Sequence, residues 1–256
     1  MAFTDRFTKS SNPLLSEERL AKSAQSPTLD GNLIDVRRDP MTVSGTANKT
    51  VIMGLLMLIT ASYSYFFPNP LFLWGGAIGG LALVFWMSFK PQMSATLAPI
   101  YALLEGLFVG GISALYAGLL GPGVIFQAVL LTLSLLFAML FVYQTGLIKV
   151  TEKFRSAIMI ATGGILLVYV INIVLSFFGL NLPFLHEGGV IGIGISLFII
   201  GIATLNLLLD FDNIERGAAA QAPKYMEWFC AMGLIVTLVW IYVEVLRLLS
   251  ILAGDD

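Results

Sequence analysis

From about residue 50 onward the chain is a succession of long apolar runs separated by short punctuation. A helix needs about 20 apolar residues to cross the hydrocarbon core of a bilayer, and seven runs come close to or exceed that length. The first extends from about Val51 to Phe67 and stops at Pro68-Asn69-Pro70. The second, about Leu71 to Phe89, ends at Lys90-Pro91. The third, about Thr96 to Tyr116, is closed by Gly118 and the Gly121-Pro122-Gly123 turn. The fourth covers about Val124 to Thr145 and ends before Lys149, and the fifth follows Arg155 and reaches Phe178. A loop from Gly179 to Gly189 contains Pro183; the sixth run follows it to Leu209. The seventh opens after Pro223 and continues to about Leu252. The pattern predicts an all-α integral membrane protein of seven transmembrane helices. Residues 1–47 are polar and mixed in sign, with no apolar run of signal-peptide length. They read as a mostly disordered tail, with one short helix from Ser16 to Ala24 capped by Ser16. The predicted organisation is therefore a tail over 1–47 and a transmembrane domain over 48–256.

Charge sharpens this picture. Seven of the 14 Lys and Arg residues lie in the first 50 positions; Lys90 follows span two, Lys149, Lys153 and Arg155 follow span four, and Arg216 and Lys224 follow span six. The loops after spans one, three and five contain none. Basic residues are retained on the cytoplasmic side, so the alternation predicts a cytoplasmic N-terminus and an outward-facing end at Gly254-Asp255-Asp256. Composition agrees: 57% of residues are hydrophobic and 12% charged, with a mean hydropathy of +0.88, whereas a soluble domain carries roughly 25% charged residues. A net charge of −2 argues against a nucleic-acid partner. The single cysteine, Cys230, and single histidine, His186, exclude an internal disulfide, a cysteine metal cluster and paired-histidine zinc chemistry. No HExxH or GxSG motif is present, nor an aspartate pair at mid-depth in two spans; no lysine lies inside the last span for a retinal Schiff base. An enzyme is not expected. Glycines at helical spacing, Gly75/Gly79, Gly76/Gly80 and Gly188/Gly192, predict close helix packing.

An ionisable side chain inside a span costs at least about 2.5 kcal/mol and marks a candidate site. Glu105 lies mid-span in the third helix. Asp210 and Asp212 close the sixth, with Asn206 one turn before Asp210 on the same face. Glu227 stands in the first turn of the seventh, and Glu244 further along it with Arg247 three residues on. Glu105 is roughly 13 Å from the cytoplasmic end of its helix. Glu105, Asp210 and Glu227 thus share one half of the bilayer and are expected to converge as an ion or proton gate, with Asp212 and Asn206 beside them. Carboxylates held close in a low dielectric cannot all ionise, so such a cluster takes up a proton or a hard cation. Asp210 with Glu227 is the candidate Ca²⁺ site, and deprotonation of a proton-sharing pair would drive its helices apart. Glu244 lies roughly 25 Å beyond Glu227 and is expected to pair with Arg247 at the outer end. Simpler readings stand beside these. Asp210 and Asp212 suit an ordinary helix end at the interface, Glu227 suits a helix N-terminus, and Glu105 suits a structural hydrogen bond.

The body from about residue 50 to 252 resembles the Bax inhibitor (transmembrane Bax inhibitor motif) family, its bacterial branch in particular. The resemblance rests on Leu104-Glu105-Gly106, on Thr145-Gly146-Leu147-Ile148-Lys149 with Glu152-Lys153-Phe154, and on Leu246-Arg247-Leu248-Leu249. The stretch Asp210-Phe211-Asp212-Asn213-Ile214-Glu215-Arg216-Gly217 fits the family's D-x-x-x-I-x-x-G pattern. The polar tail lies outside the resemblance. What it implies is a fold of six helices around the C-terminal seventh, in a bacterial inner membrane. It also implies a pH-sensitive Ca²⁺ leak in which a helix-six carboxylate, here Asp210, pairs with a helix-seven carboxylate. Two departures matter. Leu234 occupies the expected helix-seven acidic position, and span two has no arginine, Lys90 being its nearest substitute. The functions in view are a pH-sensitive Ca²⁺ leak or proton-coupled transporter, and, as the alternative, a non-transporting regulator of membrane-protein partners in stress response or proteolysis. No cofactor is expected, Ca²⁺ entering as cargo.

Overall fold

The structure is a computed structural model that describes residues 39–176, 178–179 and 189–254. The expected Ser16–Ala24 helix, most of the tail and most of the loop from 179 to 189 lie outside the described residues. Seven helices long and apolar enough to span a membrane are present among them. They are α1 (Val43–Phe66), α2 (Pro70–Phe89), α3 (Ser94–Leu120), α4 (Gly123–Thr145), α5 (Glu152–Ser176), α6 (Gly189–Ala219) and α7 (Met226–Gly254). A short 3₁₀ turn, Pro91–Met93, joins α2 to α3.

Local chemistry sets the ends. The Thr42 hydroxyl oxygen accepts the Gly45 amide at 2.9 Å and starts α1 two turns before the apolar run begins. Asn69 caps α2, with Pro70 in the first turn where its missing N–H costs nothing. Gly146 closes α4 in the left-handed region, at φ 66°. Helix α6 runs ten residues past its expected end at Leu209, because Asp212 and Arg216, one turn apart, bond at 2.7 Å and support the extension. Asp210 and Asp212 therefore sit within a helix, not at its end.

Helix α7 is the centre, 61% buried over its most apolar stretch against 39% or less for every other helix. Its first half joins Ala231, Met232, Ile235 and Val239 to Met53 of α1, Met87 of α2 and Tyr101 of α3. Its second half, with Leu234 from another face of the first, joins Ile241, Val245 and Leu246 to Leu207, Leu208 and Phe211 of α6 and Met139 of α4. Helix α5 packs in the main on α6, and α2 on α3.

Lipid tails are as apolar as leucine, so close backbone approach holds membrane helices together. The tightest seam here is α1 on α3, where a Cβ at Gly106 would strike the Met57 carbonyl and Thr60, and one at Gly110 the Ala61 carbonyl. This Gly106/Gly110 pair carries the same small-residue spacing as the glycines singled out above. Of those, Gly76 and Gly80 do face α3, whereas Gly75 faces open space. Gly106→Val is expected to destabilise the protein by about 1–3 kcal/mol through overpacking, with Gly75→Ala close to neutral, both read from thermal melts in detergent.

Candidate functional site

The basic residues between helices gather at one end of the bundle, where a fully buried carboxylate holds two lysines, Lys49 and Lys224. Glu227, in the first turn of α7, has no exposed surface. Its Oε1 accepts the Thr42 amide at 2.9 Å and the Thr42 hydroxyl at 3.0 Å, and lies 3.1 Å from Lys224 Nζ. Its Oε2 meets Lys49 Nζ, which also sits over the Trp228 ring. Gly45 makes room for the carboxylate. Beside it, Met41 donates its amide to the Ala222 carbonyl at 2.7 Å, and Pro40 pairs with Pro223 as a short antiparallel bridge. Glu227 thus locks the segment before α1 to the α6–α7 connection.

Asp210 does not join it. Its Oδ2 accepts the Thr237 hydroxyl at 2.6 Å. Thr237 is ten residues along α7 from Glu227, or about 15 Å. The expected Asp210–Glu227 Ca²⁺ pair is therefore not formed, and the described residues contain no group of three or more His, Cys, Asp or Glu placed to hold a metal. Glu105 is also elsewhere. It is half-buried against α2, where its Oε2 would lie 2.6 Å from a Cβ at Gly80. The expected convergence of carboxylates from helices three, six and seven fails for a geometric reason. Asp210 meets α7 about 15 Å from Glu227, and depth along a helix does not fix the direction a side chain faces around it, which leaves Glu105 turned to α2.

The remaining candidates sort by neighbour. Asp212 bonds to Arg155 and, at 2.7 Å, to Arg216, which reaches Glu152 at 3.0 Å; Arg155 also donates to Asn213 at 2.7 Å. This network ties α5 to α6 at the basic end. Asn206 donates to Thr162 of α5 at 2.8 Å and to the Ile202 carbonyl at 2.9 Å, turning away from Asp210. Near the opposite end, Glu244 is buried, with Arg247 Nη1 at 3.5 Å and the Tyr169 hydroxyl of α5 on its other oxygen. Arg247 donates to that same hydroxyl at 3.0 Å, so Tyr169 bridges the pair. Tyr169→Phe takes one hydrogen-bond partner from each charge, leaving only their 3.5 Å contact, and is expected to cost about 1–3 kcal/mol, read as a lower melting temperature.

The partners that sequence reasoning missed are Lys49, Thr42, Thr237 and Tyr169. Thr237 had a signal: it is a lone hydroxyl in the run Leu234-Ile235-Val236-Thr237-Leu238-Val239.

These features define a multi-pass α-helical membrane protein whose buried central helix meets one carboxylate at each of three levels: Glu227, Asp210 through Thr237, and Glu244. The family model described as Bax inhibitor 1 like matches residues 9–254, and the chain belongs to that family. The match takes in most of the polar tail, which the motif resemblance had left out. Comparison with curated proteins gave no match.

Proposed function

We propose that the protein is a pH-responsive cation leak, with Ca²⁺ as cargo, in which Asp210 receives the ion; exchange of Ca²⁺ for protons is the coupled form of the same mechanism. The contact between Asp210 and Thr237 supports this most directly. The Thr237 hydroxyl has one proton and two acceptors in reach, Asp210 Oδ2 at 2.6 Å and the Gly233 carbonyl of its own helix at 3.3 Å. An ionised Asp210 accepts that hydrogen bond. A cation or proton arriving on Asp210 removes the demand, and the hydroxyl turns to Gly233. Carboxylate oxygen is a hard ligand suited to Ca²⁺, and a carboxylate within a span is costly unless it is used.

With no acidic residue placed beside Asp210 among the described residues, like-charge repulsion is not the opening step. Competition between cation and proton for one carboxylate takes its place. The clustering of basic residues supports a cytoplasmic basic end in a bacterial inner membrane, with the N-terminus inside and the C-terminus outside. The test is purified protein in liposomes loaded with a calcium indicator, assayed on both sides of neutral pH. Entry that increases as the pH rises is the expected result. No flux above protein-free liposomes at either pH overturns the proposal and favours a non-transporting regulator of membrane partners.

A further inference from the structure

A cleft of about 530 Å³ runs between α1, α3, α4 and α7, and it belongs to none of the carboxylate sites. Helices α1 and α4 both pack on α3 and α7 but hardly meet each other, so the cleft opens sideways. Its rim is continuous with the lipid-facing surface, where Leu58, Phe66 and Leu133 are exposed. Small residues on its α1 wall, Gly54 and Ala61, keep it wide. Along α1 it reaches from Thr50 to Tyr65, fifteen residues or about 22 Å. One leaflet of hydrocarbon is about 15 Å thick, so the cleft has the length of a lipid chain rather than of a compact solute.

Its polar groups are nearly all committed. No charged side chain lines it. The hydroxyls of Thr50, Ser62 and Thr132 donate to carbonyls of their own helices at 3.0, 2.8 and 2.8 Å. Ser113 donates to the Val109 carbonyl at 2.5 Å, which leaves Tyr242 as the donor in the 2.6 Å Ser113–Tyr242 bond. Tyr65 alone among these lining hydroxyls makes no hydrogen bond to the described residues. It sits one residue before the end of α1, at the level of the aromatic residues Tyr63, Phe66 and Phe67 that mark a membrane interface. The cleft therefore asks for an occupant that is apolar throughout and carries one uncharged acceptor at the interfacial end.

We propose that the cleft holds one acyl chain of a bilayer glycerolipid, entering between α1 and α4, with its ester carbonyl accepting the Tyr65 hydroxyl. The phosphate headgroup stays outside. A free fatty acid matches in shape but would place its carboxylate where the lining offers no cation.

Native mass spectrometry of the full chain, purified in the presence of dioleoyl phosphatidylcholine, tests this. The expected result is a single phospholipid retained under activation that strips all others. Gly54→Phe fills the cleft, since a Cβ there meets nothing within 4 Å, and is expected to abolish the retained lipid. Tyr65→Phe removes one oxygen without changing shape, which keeps the test valid if Gly54→Phe does not fold; it is expected to weaken retention about fivefold, the loss of one hydrogen bond. Oleoyl lysophosphatidylcholine is expected to displace the lipid and oleate to do so poorly. Absence of a retained lipid in the wild type, equal retention by folded Gly54→Phe, or unchanged retention in Tyr65→Phe overturns the proposal, and so does displacement by oleate as effective as by the lysolipid.

Discussion

Asp210→Asn is expected to leave a folded protein whose cation flux is low and no longer depends on pH. Asparagine keeps the shape and accepts the Thr237 hydroxyl at the same place, so the contact between α6 and α7 survives. It cannot carry charge, and so reproduces the protonated aspartic acid at every pH. The sign follows. In the wild type, lowering the pH puts a proton on Asp210 in competition with the cation, and flux falls; raising it frees the carboxylate, and flux rises. The variant stays at the acid-side level throughout. Losing a carboxylate ligand is expected to reduce flux at alkaline pH by at least about tenfold, the equivalent of 1.4 kcal/mol. Glu105→Gln, on the α2–α3 seam, serves as the control and keeps the wild-type response. A wild-type leak that grows in acid, or an Asp210→Asn protein that still responds to pH, rules out competition at this residue.

The second large effect concerns stability. Glu227→Ala removes the only buried carboxylate between Lys49 and Lys224 and leaves the Thr42 amide without its acceptor. Breaking a buried ion pair by deleting one partner costs about 3–5 kcal/mol, because the surviving charge is left uncompensated. The expected outcome is a sharp drop in melting temperature in detergent and new protease sensitivity in the segment before α1. Glu227→Gln retains an acceptor for Thr42 and should fall between the two. A Glu227→Ala protein as stable as the wild type would mean that water solvates this end freely and that the lock contributes nothing.

The number of helices, their limits to within a few residues at most ends, and the basic end of the bundle were legible because each depends on a one-dimensional pattern. Hydrophobic length and turn residues are local properties, and Asn69, Gly121 and Gly146 end or begin helices where they stand. The two large misses at helix ends, the early start of α1 and the late finish of α6, came from polar turns. Thr42 and the Asp212–Arg216 pair stabilise those turns through contacts that hydropathy does not register.

The site was legible only in its membership. Glu227 and Asp210 are indeed held within the bundle, but Glu227 is neutralised by two lysines, one of them 178 positions away. Asp210 faces a threonine rather than a carboxylate. Which way a side chain turns about its helix axis depends on every packed neighbour, and no spacing rule within a single helix supplies that. The Gly106/Gly110 seam shows the opposite case: the signal was present, but its significance appeared only once α1 lay against it.

The central position of α7 restricts how the bundle can move. Both halves of that helix are wedged into separate cores, so it acts as a fixed axle. Helix α5 is the contrast, with 6% of its most apolar stretch buried. Arg155 at one end, Thr162 in the middle and Tyr169 towards the other pin it to α6 and α7, like bolts on a door. Each bolt is a polar contact that a proton, an ion or a water molecule can undo singly. The three contacts lie at different levels along α5, so the loss of one leaves the helix held at the other two.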